Sequence, residues 1–104
     1  MSASNKELIG AITNHIKASY PQLTAEAIVC FLIVAGAKKQ MTASEVAAVI
    51  GMAEPQTYQH LSSMAPGKGS GLISLINVGD GTNKVQLTPK GADLRDEIEG
   101  IAQM

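Results

Sequence analysis

Residues 42–64 read TASEVAAVIGMAEPQTYQHLSSM, a stretch that predicts a helix-turn-helix. Thr42 and Glu45 have the spacing of a capping box, in which the hydroxyl accepts from an otherwise orphaned amide and the carboxylate reaches back to the cap. The helix so begun turns Val46, Ala47 and Ile50 to one face. Gly51 ends it, because glycine takes a positive φ freely; Met52 is expected beneath the turn, and Pro55 fixes φ near the start of a second helix. In that second helix Thr57, Leu61 and Met64 fall on the side expected to be buried. Gln56, Tyr58, Gln59 and Ser63 then face outward.

Upstream, Ser4 and Glu7 form another capping box, and the helix it starts sets Leu8, Ile9, Ile12 and Ile16 at helical spacing before Pro21 stops it. Leu23 and Thr24 supply a staple and cap for AEAIVCFLIVAG, apolar all round and ended by Gly36, which is expected to be the centre of the core. Its apolar run, 27–35, is about half of the ~20 residues that a membrane span requires. The segment KKQM, 38–41, reads as a connector. Downstream, APGKGSG (65–71) cannot continue a helix and reads as a flexible loop. LISLINV is β-branched and apolar enough for a strand, GDGTN is a turn, and KVQLT alternates like a half-buried strand. The two runs predict a hairpin with its tip at 79–83. Thr88 and Pro89 cap a last helix with Leu94, Ile98 and Ile101 in a stripe.

The expected architecture is thus mainly α with a β-hairpin, in the order α-α-α-α-β-β-α. Residues 1–104 form one domain, with the helix-turn-helix over 42–64, the hairpin over 72–88, and terminal helices over 4–20 and 89–103. A chain of this length supports one core but not two. With 45% hydrophobic and 16% charged residues it has the composition of a folded soluble protein, and 3% aromatics means a core built from aliphatic residues and alanine.

The net charge of −1 is unevenly spread. Residues 1–91 carry seven lysines against five acids, whereas 92–104 carry Arg95 against Asp93, Asp96, Glu97 and Glu99. Any basic face therefore belongs to the first nine-tenths of the chain, and it is thin. A single cysteine cannot form an internal disulfide and fits a reducing, cytoplasmic setting. The N-terminus lacks a basic region followed by an apolar run, so no secretory signal is expected.

In order and spacing, these segments resemble the MarR family of winged helix-turn-helix transcriptional regulators. The resemblance covers most of the chain. It rests on Leu23-Thr24, Thr42-x-Ser44-Glu45-Val46-Ala47 with Ile50-Gly51, Leu61-x-x-Met64, Gly71-Leu72-Ile73 and Leu87-Thr88-Pro89-Lys90-Gly91. The segment AEPQTYQHL also resembles the recognition helix of the ArsR family. The resemblance implies a homodimer that binds double-stranded DNA. The chain departs from the family pattern at Ala53, where a serine cap is usual, at Gln59, where arginine is common, and at the hairpin tip, which carries Asp80 and only Lys84.

On this reading Gln56 and Gln59 pair with adenine edges in the major groove, and Tyr58, with Ser63 on the same face, meets phosphate or a thymine methyl. Lys38, Lys39, Lys68 and Lys84 are the candidates for the DNA backbone. The plainer alternative is a solvated polar face on a winged helix that binds a protein partner, such as polymerase or another regulator, with these lysines only solubilising. The stretch GKGSG is not a phosphate loop, which needs Gly-x-x-x-x-Gly-Lys-[Ser/Thr] between a strand and a helix.

His15 and His60, without a cysteine or carboxylate cluster, specify no metal site, and no cofactor is implied. Cys30 lies in the most apolar segment and reads as a small hydrophobe. No nucleophile stands with a base, so no catalytic residue and no enzyme activity are expected. The stripes of the terminal helices, Leu8, Ile12 and Ile16 with Leu94, Ile98 and Ile101, look like more apolar surface than one small core uses, and so predict a dimer interface.

Overall fold

The computed structural model describes residues 5–37, 39–67 and 69–102, with side chains described for 10–37, 39–67 and 69–101. Among these the elements run α1 (Asn5–Ser19), α2 (Ala25–Gly36), β1 (Met41–Thr42), α3 (Ala43–Ile50), α4 (Glu54–Ser62), β2 (Ile73–Asn77), β3 (Asn83–Leu87) and α5 (Pro89–Ala102). The protein is mostly helical, with a small antiparallel sheet. No helix among the described residues is long and apolar enough to cross a membrane. The Ser4–Glu7 capping box, Lys38 and Lys68, and the side chains of Leu8 and Ile9, lie outside what is described.

As its composition predicts, α2 is the centre of the core. Thr24 Oγ1 accepts the Ala27 amide at 3.1 Å, which starts the helix. Ala27, Ile28, Cys30, Phe31 and Val34 are then buried, with Phe31 wholly enclosed. Ile16, Leu23, Val46, Leu61, Met64, Leu72, Ile73, Val85, Leu94 and Ile98 close around them. Burial is not all round: Val29 is exposed, and Leu32 and Ile33 are half-buried.

Local chemistry sets the α3–α4 corner. Both arms of the capping box are made, Glu45 N–H to Thr42 Oγ1 at 3.1 Å and Thr42 N–H to Glu45 Oε1 at 2.9 Å. Gly51, at φ 76°, turns the chain left-handed, and the Gly51 and Met52 amides both donate to the Ala47 carbonyl. Met52 is only half-buried, so the corner closes through its backbone rather than over an enclosed methionine.

The connector before α3 holds a strand that sequence reading passed over. Met41 pairs with Val85 and Thr42 with Lys84, so the hairpin is part of a three-stranded sheet in the order β1-β3-β2, and the element order is α-α-β-α-α-β-β-α. Two residues are too few to display a period of two. The hairpin itself lies as expected, from Ile73 opposite Leu87 to Asn77 opposite Asn83. Its tip turns through three left-handed residues, Gly79, Asp80 and Gly81, and Asn77 Oδ1 accepts the Gly79 amide at 2.8 Å.

The segment after α4, expected to be a flexible loop, is tied back at its described end, Ser70 and Gly71. Lys90 Nζ donates to the Ser70 carbonyl at 2.8 Å while lying over the Tyr20 ring, and Thr88 Oγ1 donates to the Gly71 carbonyl at 2.6 Å. Gly69 passes so close to the Ser63 carbonyl that a Cβ there would collide with it.

The terminal helices bury three of the six residues expected at the dimer seam. Ile16, Leu94 and Ile98 are buried in the chain's own core, Ile12 packs on its margin, and Ile101 is half-buried. The stripes pack inward, because α1 and α5 lie against each other and α5 lies against α2. Three of the residues assigned to an interface therefore have almost no surface to offer a partner, and the side chain of Leu8 lies outside what is described.

Candidate nucleic-acid interface

The outward face of α4 is positioned by its inward one. Thr57, Leu61 and, just beyond the helix, Met64 have no exposed surface, and Thr57 Oγ1 donates to the Ala53 carbonyl at 3.1 Å. That hydroxyl is thereby satisfied inside the core. Gln56, Tyr58, Gln59 and Ser63 all come out exposed, as their spacing predicts. Pro55 occupies the first turn, and Ala53 offers the first amides no side-chain acceptor.

Between α4 and the hairpin runs a cleft of about 560 Å³ lined by Glu54, Pro55, Tyr58, Gln59 and Asn83. Asn83 went unnoticed in the sequence, although the signal was present. It lies two residues before Val85, hence on the same sheet face, and where Val85 is enclosed under α2 Asn83 emerges beside α4. Glu54 and Pro55 read as helix-starting residues, and only the folded geometry makes them a wall.

Among the described residues, the other proposed contacts, Lys39, Ser63 and Lys84, are not gathered at this cleft. Lys84 is exposed but is paired opposite Ile76 on the sheet face away from Val85. Lys39 borders a different cleft, with Gln40, Gln86 and Arg95 between α2 and β3. Ser63 donates to the His60 carbonyl at 2.6 Å and borders a third hollow with Gln22, Thr24, His60 and Gly69. Gln59 lines both that hollow and the cleft beside the hairpin. The face is accordingly polar and almost uncharged: α4 has Glu54 in its first turn and neither lysine nor arginine. Such a surface supplies amide and phenol hydrogen bonds rather than strong phosphate attraction.

Away from this face, burial pushes the Cys30 thiol above its ordinary pKa, so it is held as the thiol, and it has no exposed surface. The Thr42 amide and hydroxyl bonded to Glu45 hold that carboxyl below the usual carboxylate range. Among the described residues, no three His, Cys, Asp or Glu side chains gather where they could hold a metal ion. Compared with family models, with curated proteins and with solved structures, the chain has no match.

Proposed function

We propose that this protein is a transcriptional regulator of winged helix-turn-helix type that binds double-stranded DNA in the cytoplasm. α4 is its recognition helix, and the β2–β3 hairpin is its wing. The observation that carries the reading is the placing of Gln56, Tyr58 and Gln59 together on the exposed face of a helix anchored by Thr57 and Leu61, with a hairpin flanking it. A helix so presented fits the major groove, where glutamine amides pair with adenine edges and a phenol ring meets a thymine methyl or a phosphate. Asn83, across the cleft from Tyr58, adds an amide from the hairpin side.

A second reading, a winged-helix module that binds a protein, draws on one specific feature. The helix face carries an acid and no lysine or arginine, beside a cleft walled partly by Pro55 and Tyr58. Gel shift against pooled genomic fragments at low and moderate salt separates the two. A retained, sequence-selective complex is the expected result; no shift at low salt would favour the protein module. Regulators that read palindromic sites act as dimers, and Ile16, Leu94 and Ile98 of the α1 and α5 stripes, being buried in the chain's own core, leave little of their surface for a second copy.

A further inference from the structure

β2 is an edge of the sheet, and the hydrogen-bond phase shows which of its backbone groups face outward. Val78 donates to the Thr82 carbonyl at 3.0 Å and Thr88 donates to the Leu72 carbonyl at 3.1 Å. An antiparallel ladder bonds alternate residues, so 72, 74, 76 and 78 turn their backbone groups to β3, and 73, 75 and 77 turn theirs to the free edge. The Ile73 amide on that edge is taken by the Met64 carbonyl at 3.2 Å. Among the described residues, Leu75 and Asn77 have no backbone partner there. Proteins usually blunt such an edge with a charge, a proline or a bulge. β2 has no charge and no proline, its pairing with β3 is regular, and Ile76 and, just past its end, Val78 are exposed at 39% and 52%.

We propose that β2 is a docking edge for β2 of a second copy of this chain, the two strands running antiparallel about a two-fold axis at Ile76. The phase fits that axis. Leu75 then faces the partner's Asn77, and Asn77 the partner's Leu75, as two hydrogen-bonded pairs in which all the free groups of both residues are satisfied. Ile76 meets the partner's Ile76 as the close, non-hydrogen-bonded pair, and Val78 lies opposite the partner's Ser74. The exposed isoleucine and valine side chains of both copies thus line up as one apolar stripe across the joint, each in lateral contact with its neighbours. Self-pairing places like against like, which a charged edge forbids and this uncharged one permits. Lys84 is one strand removed on each side, so the two Lys84 Cα atoms stand roughly 14 Å apart, three interstrand spacings, beyond the ~8 Å screening length of physiological salt. Five residues a side fall short of the ~1,200 Å² of a standard interface, so the pairing is weak and reversible. It does not depend on what α4 binds.

Two measurements on the intact chain test it. In the first, backbone amide NMR from about 20 µM to 1 mM should show shifts concentrated on 74–78, with slowed exchange at Leu75 and Asn77, alongside a rise in sedimentation coefficient; I76K should abolish both while leaving the far-UV spectrum unchanged. In the second, I76C under mild oxidation should form a disulfide-linked dimer, while V49C, at a more exposed site on α3, should not. The two arms also cover a variant that fails to fold. A wild type that stays monomeric to 1 mM, shifts centred on α4 or on α1 and α5, or equal crosslinking of I76C and V49C would overturn the proposal.

Discussion

His15 Nε2 and the Glu97 carboxylate meet at 2.8 Å across 82 residues of chain, joining α1 to α5 at the surface. The bond marks where the two helices run together, but both groups are substantially exposed and an exposed pair of this kind contributes at most about 1 kcal/mol. The apolar side chains beneath it matter more. His15→Ala should therefore change the urea unfolding free energy by less than ~1 kcal/mol, whereas Ile16→Ala should cost about 2–5 kcal/mol. Equal effects would mean that the polar contact, not Ile16, joins the helices.

The same packing decides what Ile98→Asp does. Ile98 is 8% exposed in the core between α5 and α2, so the substitution buries a carboxylate without a partner. The expected outcome is loss of the cooperative thermal transition by circular dichroism, at any protein concentration. A well-folded variant whose only change is in sedimentation would return the residue to an intermolecular seam.

These two helices show what the sequence could and could not reveal. Their existence, their caps and the side of each that is apolar follow from helical spacing, and Thr88 does cap α5, accepting the Gly91 amide at 3.1 Å. Whether an apolar stripe meets its own core or another chain depends on how the helices cross, and no local pattern encodes that. The outward set on α4 was legible because Thr57 and Leu61 occupy one side of a short helix so fully that the other side has no alternative. Asn83 was harder to see: it becomes a wall of the cleft only because the hairpin lies beside α4. β1 was invisible because its partner, β3, is some 40 residues away, at Val85 and Lys84.

The capping box at the head of α3 gives a pH dependence whose sign can be worked out. Glu45 has a lowered pKa when folded, chiefly through the Thr42 amide. Its contribution is therefore present above the unfolded-state carboxylate pKa, ~4.3, and is lost as pH falls through the lower folded value. Glu45→Gln keeps an acceptor at this position but has no proton to take up. The stability gap between wild type and Glu45→Gln should shrink as pH is lowered below ~4, and a gap that widened would contradict the assignment. Thr42→Ala, which removes the hydroxyl arm, should cost about 1 kcal/mol at neutral pH.

If α4 reads bases, Gln56→Ala and Gln59→Ala should each weaken binding to a selected DNA site by about 1–3 kcal/mol and leave non-specific DNA nearly unaffected. Lys84→Ala should act differently, lowering the slope of log affinity against log salt by about one per protomer while treating all sequences alike. Fluorescence anisotropy on cognate and scrambled duplexes over a salt series reads both. Equal losses on the two duplexes for the glutamine variants would remove base reading from α4, and an unchanged slope would remove Lys84 from the backbone contacts.

Two glycines in helices give a last contrast, in which one substitution should have opposite signs. Gly10 lies mid-way along α1 with nothing among the described residues within 4 Å of where a Cβ would stand. Gly10→Ala should stabilise by about 0.5–1 kcal/mol, since alanine loses less backbone freedom on folding. Gly91 lies in the first turn of α5, where a Cβ would run into the Leu72 carbonyl and press on Leu87 Cδ2. The Leu72 carbonyl cannot yield readily, because it already accepts the Thr88 amide at the junction of β2 and α5. Gly91→Ala should thus push α5 away from the sheet and destabilise by about 1–3 kcal/mol despite the better helix propensity of alanine. Chemical denaturation of the two variants side by side provides the measurement. A stabilising Gly91→Ala would mean that α5 sits further from Leu72 than this packing has it.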